Sequence, residues 1–466
     1  MNEFILDKDS WYKLRNDRTN RINGVSGYDD FSLGIVVDSS VESSFSTQIM
    51  TLITCNIVSR WCKNVKIQIP ETVSQIPYKK GVNFRNCLQE LMINIDPYGK
   101  FNFGHIEEKD FDQILVIGKT EKPFHKSVWI NSSGWIAGAG YGSPQFALPS
   151  NEDDNPVGAA FASCLGMAEV FANAVSLTDP IPHTTWYSLY DYTRTNNNPA
   201  ELKNPKYFSQ FDYGRIYQIG CGAVGSSLDF LFSLTNWKSE IILIDHDTVD
   251  YPNCSCSLSF TPLDAQNTRR KIDVCGNILK SSNMSHVVFE GGSYDEYIKT
   301  GRYLDKPPDL ILCLANEKNV WADIQYNFPP LVFHATTTPN WGINFGRHIP
   351  KKEWCIMCRF SEEIDHKFTP SCSEGVVNVQ DNKEKQMLGV LPFLSPTGAV
   401  MILAEMAKMT LNDYPINKDF IELSMRPPGG ISLQMRKAKL GCMCNQQILD
   451  FYPREIKNSK FWRLTK

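Results

Sequence analysis

A glycine-rich turn stands near the middle of the chain, in the stretch QIGCGAVGSSLDFLFSL. Gly220, Gly222 and Gly225 have the G-x-G-x-x-G spacing of a turn between a strand and a helix, which lets backbone N–H groups approach a phosphate. Asp245 lies twenty residues after Gly225, at the end of the next apolar run. A carboxylate there can accept hydrogen bonds from ribose hydroxyls. This pattern predicts nucleotide binding, and it fits a nicotinamide dinucleotide and ATP equally well.

Two cysteine pairs form a second group of residues with chemical potential. Cys355 and Cys358 have C-x-x-C spacing, and Cys442 and Cys444 form a second pair with the shorter C-x-C spacing. Two thiolates on a tight turn can supply half of a tetrahedral zinc site. We therefore predict one structural zinc ion bound by all four residues, the alternative being two unrelated pairs of turn cysteines.

The elements that position these residues alternate between strands and helices. In the first half, apolar patterning predicts strands at FSLGIVVDSS, VKIQIP and FDQILVIG and helices within residues 41–62 and 150–175. The Asn- and Pro-rich segment 193–214 is interpreted as a linker. The second half begins with the strand RIYQIG and the helix VGSSLDFLFSL, followed by the strands EIILID and DLILCLA. This order predicts an α/β fold with two domains, residues 1–200 and 201–466.

The two domains share sequence features that indicate two copies of one fold. Both contain a P-x-G-A helix entry, at Pro156 and at Pro396. When Val37 is aligned with Ile219, Asp38 falls opposite Gly220, and serines fall opposite the other two glycines. A carboxylate at that position repels phosphate, so we expect the first half to bind no nucleotide. The alternative is that any two α/β halves look alike at this level.

The residues after Asp245 decide between the two nucleotides. IDHDTVDYPN resembles the D-x-D-x-V-x-x-x-N segment of the ThiF, MoeB and ubiquitin-activating-enzyme family, and the resemblance continues over about residues 212–445 through RRKIDVCGNIL, DLILCLANE and WCIMC. Members of this family adenylate the C-terminal glycine of a ubiquitin-like protein. The resemblance implies tandem Rossmann-like adenylation domains of the ThiF type, with ATP, magnesium and zinc as cofactors.

The same resemblance assigns roles to residues around the glycine turn. Lys271 takes the position of the family lysine, and Asp245, Asp247 and Asn253 belong to the nucleotide segment. DRTNRING resembles the opening of the ubiquitin-activating type, in which an arginine of the inactive half reaches the ATP in the active half, and Arg18 takes that position. A guanidinium suits this task because it stays charged and can bind phosphate oxygens bidentately.

The sequence departs from the family pattern at two places in the nucleotide site, and a further cysteine is assigned through the resemblance. Cys256 stands where the family has a second arginine, and Asn316 followed by Glu317 stands where it has the magnesium aspartate, so Glu317 is a substitute ligand or metal binding is weakened. Arg269 and Arg270 are candidates to replace the lost positive charge, or they are solvated. Cys372, in TPSCSEGVV, lies where the family carries the cysteine that accepts the activated glycine as a thioester.

Composition limits the remaining alternatives. The chain has 466 residues, a net charge of -4 and 42% hydrophobic residues, which favours a globular protein over one that binds nucleic acid. The charged N-terminal stretch does not resemble a secretory signal, and no apolar run reaches about 18 residues, so we expect a cytoplasmic protein with no membrane segment.

The leading hypothesis is an enzyme that activates a ubiquitin-like β-grasp protein, as in the compact conjugation systems of bacterial antiphage operons. The few residues after 445 are too short for the ubiquitin-fold domain of larger relatives, so a conjugating enzyme is expected to bind another surface. A pseudo-dimer within one chain or a homodimer are both open. The alternatives are a ThiF-like nucleotide-binding or protein-binding module with reduced activity, a sulfur-carrier adenylyltransferase, and a nicotinamide-dependent oxidoreductase.

Overall fold

The computed structural model describes residues 4–119, 124–125, 127–142, 148, 154–177, 181–289, 292–359, 389–411, 414 and 418–465. Within these residues, sixteen strands form two sheets of eight. The strands of the first sheet are β1 (Ser32–Val37), β2 (Asn64–Gln68), β3 (Lys100–Phe103), β4 (Gln113–Ile117), β5 (Ser127–Ser133), β6 (Ile136–Tyr141), β7 (His183–Ser188) and β8 (Arg194–Thr195). Those of the second are β9 (Asp212–Ile219), β10 (Lys238–Ile244), β11 (Ser285–Val288), β12 (Leu310–Cys313), β13 (Val332–Thr338), β14 (Gly342–His348), β15 (Phe420–Ser424) and β16 (Gly430–Gln434).

The two sheets have the same strand order. The first runs β3-β2-β1-β4-β5-β6-β7-β8, and the second runs β11-β10-β9-β12-β13-β14-β15-β16. In each sheet the first five strands are parallel and the last three are added antiparallel. The parallel order 3-2-1-4-5 is that of a Rossmann-like fold, in which ligands bind where the strand order reverses. The predicted tandem α/β architecture is confirmed.

Helices connect and cover the strands. Those described are α1 (Lys8–Asn20), α2 (Phe45–Val58), α3 (Phe84–Ile95), α4 (Pro156–Ala174), α5 (Ala223–Phe232), α6 (Pro262–Gln266), α7 (Lys271–Leu279), α8 (Tyr294–Lys299), α9 (Arg302–Asp305), α10 (Lys318–Tyr326), α11 (Leu394–Met409), α12 (Met443–Gln446) and α13 (Arg454–Lys457). A 3-10 helix over Tyr251–Ser255 follows the nucleotide segment.

Local sequence explains where the longer helices begin. The Asp7 carboxylate accepts the N–H groups of Asp9 and Ser10 at 3.0 Å and caps α1. Asn155 caps α4 in the same way, and Pro156 at the first helical position needs no partner for its nitrogen. The first turn of α5 differs, because its cap is Gly222 and no side chain accepts its N–H groups.

One hydrophobic core joins the two halves. It contains buried residues of α2 and α4 from the first half and of α5 and α11 from the second. The ring of Phe171, in α4, packs tilted against Trp341 and edge-on against Phe393, with ring centroids 5.9 Å apart in both pairs. Continuous burial of apolar side chains is the main stabilising force in folding, so the two halves are stabilised together, as a pseudo-dimer within one chain.

Two sequence-based expectations need correction. Residues 193–214 are not simply a linker, because β8 and the start of β9 lie within them and β8 completes the first sheet. Helix α4 is a 19-residue apolar helix, long and apolar enough by composition to cross a membrane, whereas the sequence suggested no such segment. Its apolar window is 89% buried inside the fold, as expected of a core helix.

Candidate nucleotide site and thiolate cluster

The three glycines of the turn have different roles. Gly220 has a φ of +100° and a Cβ there would lie 2.7 Å from the Ala315 nitrogen, so the turn passes directly against the end of β12. A Cβ on Gly225 would lie 2.2 Å from the Gly220 carbonyl oxygen, so this glycine allows α5 to pack on the turn. At Gly222 nothing lies within 4 Å of a Cβ. Gly222 therefore opens the first turn of α5 to an anion.

Asp245 fixes the shape of this turn. Its carboxylate accepts the N–H of Cys221 at 2.6 Å and the N–H of Asp247 at 2.8 Å. These bonds tie the end of β10 to the glycine turn that follows β9. Asp245 also faces the cavity beside the turn. The sequence predicts that Asp245 binds a ribose, and the structure shows that it also stabilises the turn.

Lys271 and Asp247 form a partly buried ion pair. Lys271 Nζ lies 2.8 Å from Asp247 Oδ2, and the lysine side chain is 10% exposed. Burial alone lowers the pKa of Lys271, but the carboxylates of Asp245 and Asp247 outweigh it and raise the pKa above the ordinary value. Lys271 is therefore a fixed cation at neutral pH, directed to the cavity by a carboxylate partner.

Arg18 reaches the same cavity from the first half. Helix α1 is anchored to its own half by the buried ion pair between Arg15 and Asp96, at 2.7 Å, and packs on the second half through Trp11 and Tyr251, whose ring centroids are 6.3 Å apart. At the end of this helix, Arg18 Nη1 lies 3.1 Å from Cys256 Sγ. The arginine thus lies beside the position where the family has its second arginine.

The remaining predicted ligands lie around the cavity. Asn253 Oδ1 accepts the N–H of Asp250 at 3.0 Å, so the Asn253 amide can offer its NH₂ group to a ligand. Asn316 and Glu317 follow β12 and precede α10, at the same edge of the sheet. Arg269 and Arg270 do not line the cavity, since they pair with Asp264 and Asp273, so the idea that they replace lost positive charge in the site has no support.

Most of the predicted nucleotide ligands, together with Arg18 and Lys271, line one cavity of about 280 Å³ at the carboxyl ends of the strands of the second sheet. Among the predicted nucleotide ligands, only Gly225 is not part of its lining, because it packs beneath the turn. Sequence reasoning missed further lining residues that follow β11 or end β13, although the rule that ligands bind at carboxyl ends of parallel strands points to them. They are Gly292, Ser293, Tyr294, Asp295, Thr336 and Thr337.

The equivalent position in the first half is filled by a side chain. Asp38 follows β1 as Gly220 follows β9, and its carboxylate accepts the N–H of Ser40 at 2.7 Å and the N–H of Lys119 at 2.6 Å. It lies against Gly118, at the end of β4. In place of the glycine turn of the second half, this half has a turn whose own carboxylate accepts one N–H of the turn, that of Ser40, and one N–H beyond the neighbouring strand β4, that of Lys119.

The four predicted zinc ligands come together at the other end of the second sheet. Cys355 Sγ lies 3.9 Å from Cys358 Sγ and 3.5 Å from Cys442 Sγ, and Cys444 Sγ lies 3.4 Å from Cys358 Sγ. Four sulfurs about 2.3 Å from a central zinc are about 3.8 Å apart, so the cluster fits a tetrahedral zinc ion. The short C-x-C spacing does not prevent both thiols from joining the cluster.

A pair of glutamines links this cluster to the cavity wall. Gln447, just after Cys444, accepts from Gln325 Nε2 at 2.7 Å and donates to the Gln325 carbonyl oxygen at 2.6 Å. Gln325 lies on α10, the helix that begins beside Glu317. The position of α10, and with it one wall of the cavity, therefore depends on the segment that carries the second cysteine pair.

Cys372 lies outside the described residues, so its role stays a prediction. The chain re-enters the described part at Gly389, and the Val390 N–H donates to the Arg18 carbonyl oxygen at 3.2 Å. Cys254 and Cys256, near the nucleotide segment, are fully buried, and burial raises the pKa of Cys254, which argues against a reactive thiol there. Six further cysteines lie among apolar residues of the sequence and are buried in the core: Cys55, Cys62, Cys87, Cys164, Cys275 and Cys313.

The fold and the site define a protein with two Rossmann-like domains, one of which has an open glycine turn and a cavity that the other domain completes. The family model of the BilD N-terminal domain matches residues 32–180, which contain β1–β6 and α2–α4. None of the curated proteins compared with the chain is a significant match.

Solved structures of low similarity were also found. The crystal structure of E. coli MccB is 15% identical with a TM-score of 0.37, and the match covers 69% of this chain and 96% of that chain. The Microcin C7 biosynthetic enzyme MccB in complex with N-formylated MccA is 14% identical with a TM-score of 0.36, covering 68% and 97%. PaaA is 12% identical with a TM-score of 0.34, covering 48% and 65%.

Proposed function

We propose that this protein activates a ubiquitin-like protein with ATP. In the first step, a carboxylate oxygen of the C-terminal glycine attacks the α-phosphorus of ATP, which forms an acyl-adenylate and releases pyrophosphate. In the second step, the thiolate of Cys372 attacks the acyl carbon, which forms a thioester and releases AMP. The thiol proton passes to solvent.

One observation carries the proposal: a cation from each half faces a single cavity at an open glycine turn. Arg18 belongs to the first half, and Lys271 belongs to the second. The second half alone contains a sugar-binding carboxylate and a phosphate turn, which also suit a dinucleotide. A guanidinium contributed across the two halves suits a reaction in which negative charge develops on phosphate.

Each residue has a role that follows from its position. The N–H groups at the start of α5 bind phosphate oxygens, because no side chain caps them. Lys271 and Arg18 stabilise the charge that develops on the α-phosphate and on the leaving pyrophosphate. Asn253 and Asp245 orient the ribose. Asp247 holds Lys271 in its position, as their 2.8 Å contact shows.

The donor set fits the metals that the family resemblance implies. The carboxylate of Glu317 and the amide oxygen of Asn316 line the cavity and are hard oxygen ligands, which magnesium prefers. When bound there, magnesium neutralises phosphate charge. The four clustered thiols fit a structural zinc, which leaves no open position for substrate.

Two features favour a ubiquitin-like partner. The chain contains both an open and a filled version of the same fold, as in the ubiquitin-activating type that the motif DRTNRING resembles. The described chain also resumes at Gly389, and the Val390 N–H donates to the carbonyl oxygen of Arg18, a cavity residue. A cysteine close to the adenylate is what acyl transfer requires. The proposal includes a separate conjugating enzyme that receives the activated protein in the cytoplasm, as in the conjugation systems of bacterial antiphage operons.

An ATP–pyrophosphate exchange assay tests the proposal. Purified protein is incubated with labelled pyrophosphate, ATP and a β-grasp protein that ends in glycine. Exchange that depends on the β-grasp protein is expected, together with an adduct that thiol reductants cleave. Cys372→Ala is expected to keep the exchange and lose the adduct, whereas the matched variant Cys87→Ala keeps both.

The main competing function is nucleotide binding without turnover, which Cys256 and Asn316 suggest. ATP binding with no exchange, in folded protein supplied with β-grasp proteins that end in glycine, would support that function and overturn the enzyme proposal.

A further inference from the structure

A fully buried arginine of the first half contacts the nucleotide loop of the second. Arg60, just after α2, is 1% exposed. Its Nη1 donates to the carbonyl oxygens of Cys254, at 2.6 Å, and Phe260, at 3.0 Å. Its Nε donates to Asn56 Oδ1 at 2.8 Å, and Asn56 Nδ2 donates to the Leu258 carbonyl oxygen at 3.0 Å. The side chains of Asn56, in α2, and of Arg60, just after it, thus donate to three backbone carbonyls of one loop.

This arginine has an unusual environment. Within the described residues, no carboxylate forms an ion pair with Arg60, and its Nη2 has no hydrogen-bond partner. Burial lowers the pKa of Arg60 to about 10, so the side chain is still cationic at neutral pH. Burying an unpaired cation costs free energy, and two backbone carbonyls compensate only part of that cost. A neutral side chain would fill the same space without that penalty.

The loop held by Arg60, residues 250–260, is also attached to the nucleotide site. Asn253 faces the cavity, and Cys256 accepts from Arg18. On the side of the glycine turn, the Leu258 N–H donates to Ser227 Oγ at 3.1 Å, and Ser257 Oγ lies 2.6 Å from Ser226 Oγ. Ser226 and Ser227 are in the first turns of α5, whose N-terminus faces the cavity. The loop therefore connects α2 of one half to the phosphate-binding helix of the other.

We propose that Arg60 is a positioning residue, through which the first half sets the geometry of the nucleotide site in the second half. Arg60 does not line the cavity, so it acts through the loop 250–260 and not on the nucleotide itself. The hydrogen bonds from Arg60 to the carbonyl oxygens of Cys254 and Phe260 fix the loop between these two residues. The loop in turn orients Asn253 and the Cys256 thiol, which accepts a hydrogen bond from Arg18. This inference rests on the proposed use of ATP.

The test compares variants of Arg60 with a matched arginine. Arg60→Met removes the hydrogen-bond donors and the charge but keeps a long side chain of similar shape. Arg60→Lys keeps the charge but not the planar guanidinium with its several N–H donors. Arg85→Met is the control, because Arg85 Nη2 also donates to a backbone carbonyl, that of Ile69, but within its own half. ATP affinity is measured by calorimetry on full-length folded protein, alongside the melting temperature and the KM and kcat of pyrophosphate exchange.

Arg60→Met is expected to weaken ATP binding about tenfold and Arg60→Lys about threefold, in line with the loss of charge-assisted hydrogen bonds, while Arg85→Met leaves it unchanged. KM for ATP is expected to rise more than kcat falls. Arg60→Met combined with Arg18→Ala is expected to be less than additive, because both residues act on the same loop.

Four outcomes would contradict the inference. A lower melting temperature with unchanged ATP affinity would show that Arg60 only stabilises the fold, and additive effects with Arg18→Ala would also contradict the inference. If Arg60→Met does not fold, Arg60→Lys decides alone, and ATP affinity within twofold of wild type overturns the proposal. Wild-type protein that neither binds ATP nor exchanges pyrophosphate overturns the proposed function and this inference together.

Discussion

Arg18 and Cys256 belong to opposite halves of the chain, and Arg18 Nη1 donates to Cys256 Sγ across 3.1 Å. The cysteine stands where the family resemblance implies an arginine. A second guanidinium at position 256 would meet Arg18 in a buried place, so the thiol serves as a small acceptor that leaves room for the arginine of the other half. Arg18 is therefore the cation that remains on this side of the cavity.

Replacement of Arg18 tests its role in the reaction. Arg18→Ala is expected to lower kcat/KM for pyrophosphate exchange about 100-fold, because one charged donor to the reacting phosphate is lost. Arg21→Ala is the control, since Arg21 lies at the end of the same helix and pairs with Asp17 at the surface. Equal effects of the two substitutions would contradict a specific role for Arg18.

The glycine turn offers two substitutions with opposite consequences. Gly222→Ala is expected to leave the free energy of unfolding within about 0.5 kcal/mol, because nothing lies within 4 Å of the new methyl group, but to weaken ATP binding about tenfold or more. Gly225→Ala is expected to destabilise the fold by roughly 1–3 kcal/mol, since its Cβ meets the Gly220 carbonyl. Denaturant unfolding and calorimetric ATP titration measure the two effects.

If Gly222→Ala binds ATP as wild type does, the nucleotide phosphates do not lie at the start of α5.

A buried carboxyl group makes the stability depend on pH. Burial raises the pKa of Asp229 to about 7, although hydrogen bonds donated by Cys275 and Gln218 act to lower it. Between about pH 4 and pH 7 the folded protein binds more protons at this group than the unfolded chain, so Asp229 lowers the stability as the pH rises through that range. Asp229→Asn is therefore expected to increase the free energy of unfolding at pH 8, by up to roughly 4 kcal/mol, and to change it little near pH 4.

Urea unfolding of both proteins at several pH values measures this difference. A constant difference between pH 4 and pH 8 would contradict a raised pKa at Asp229.

The thiolate cluster predicts a metal content. Wild-type protein is expected to contain one zinc ion per chain, and Cys358→Ser is expected to lose it and to melt roughly 5–10 °C lower. Cys87→Ser, a buried cysteine outside the cluster, is expected to keep the zinc. Elemental analysis and thermal unfolding measure both quantities, and zinc retention by Cys358→Ser would exclude the cluster as the site.

Much of the fold was accessible from the sequence because its signals are local. The apolar runs that end at Val37 and Ile219 are the central strands β1 and β9, and the alignment of these two positions correctly paired Asp38 with Gly220. The cysteine pairs predicted their own cluster, since thiols at short spacing have few other structural uses.

Other features depend on contacts between residues far apart in the chain. Arg60 lies in an apolar stretch, and its contact with Cys254 joins residues 194 positions apart, so no local pattern indicates it. In the sequence, Asp229 lies inside the apolar helix α5 with no sign of its partners. Cys275 comes close to it only because α5 packs against α7. The sequence suggested that Asp38 repels phosphate but not that it occupies the place of one.

The bonds of Asp38 to the N–H groups of Ser40 and Lys119 have a consequence for the response to nucleotide. In the first half, a carboxylate of the chain itself therefore takes the acceptor role that a phosphate takes at an open glycine turn. The proposed ATP binding therefore concerns the turn of the second half and not the turn of the first half. The first half thus contributes Arg18 to the cavity while Asp38 occupies its own turn.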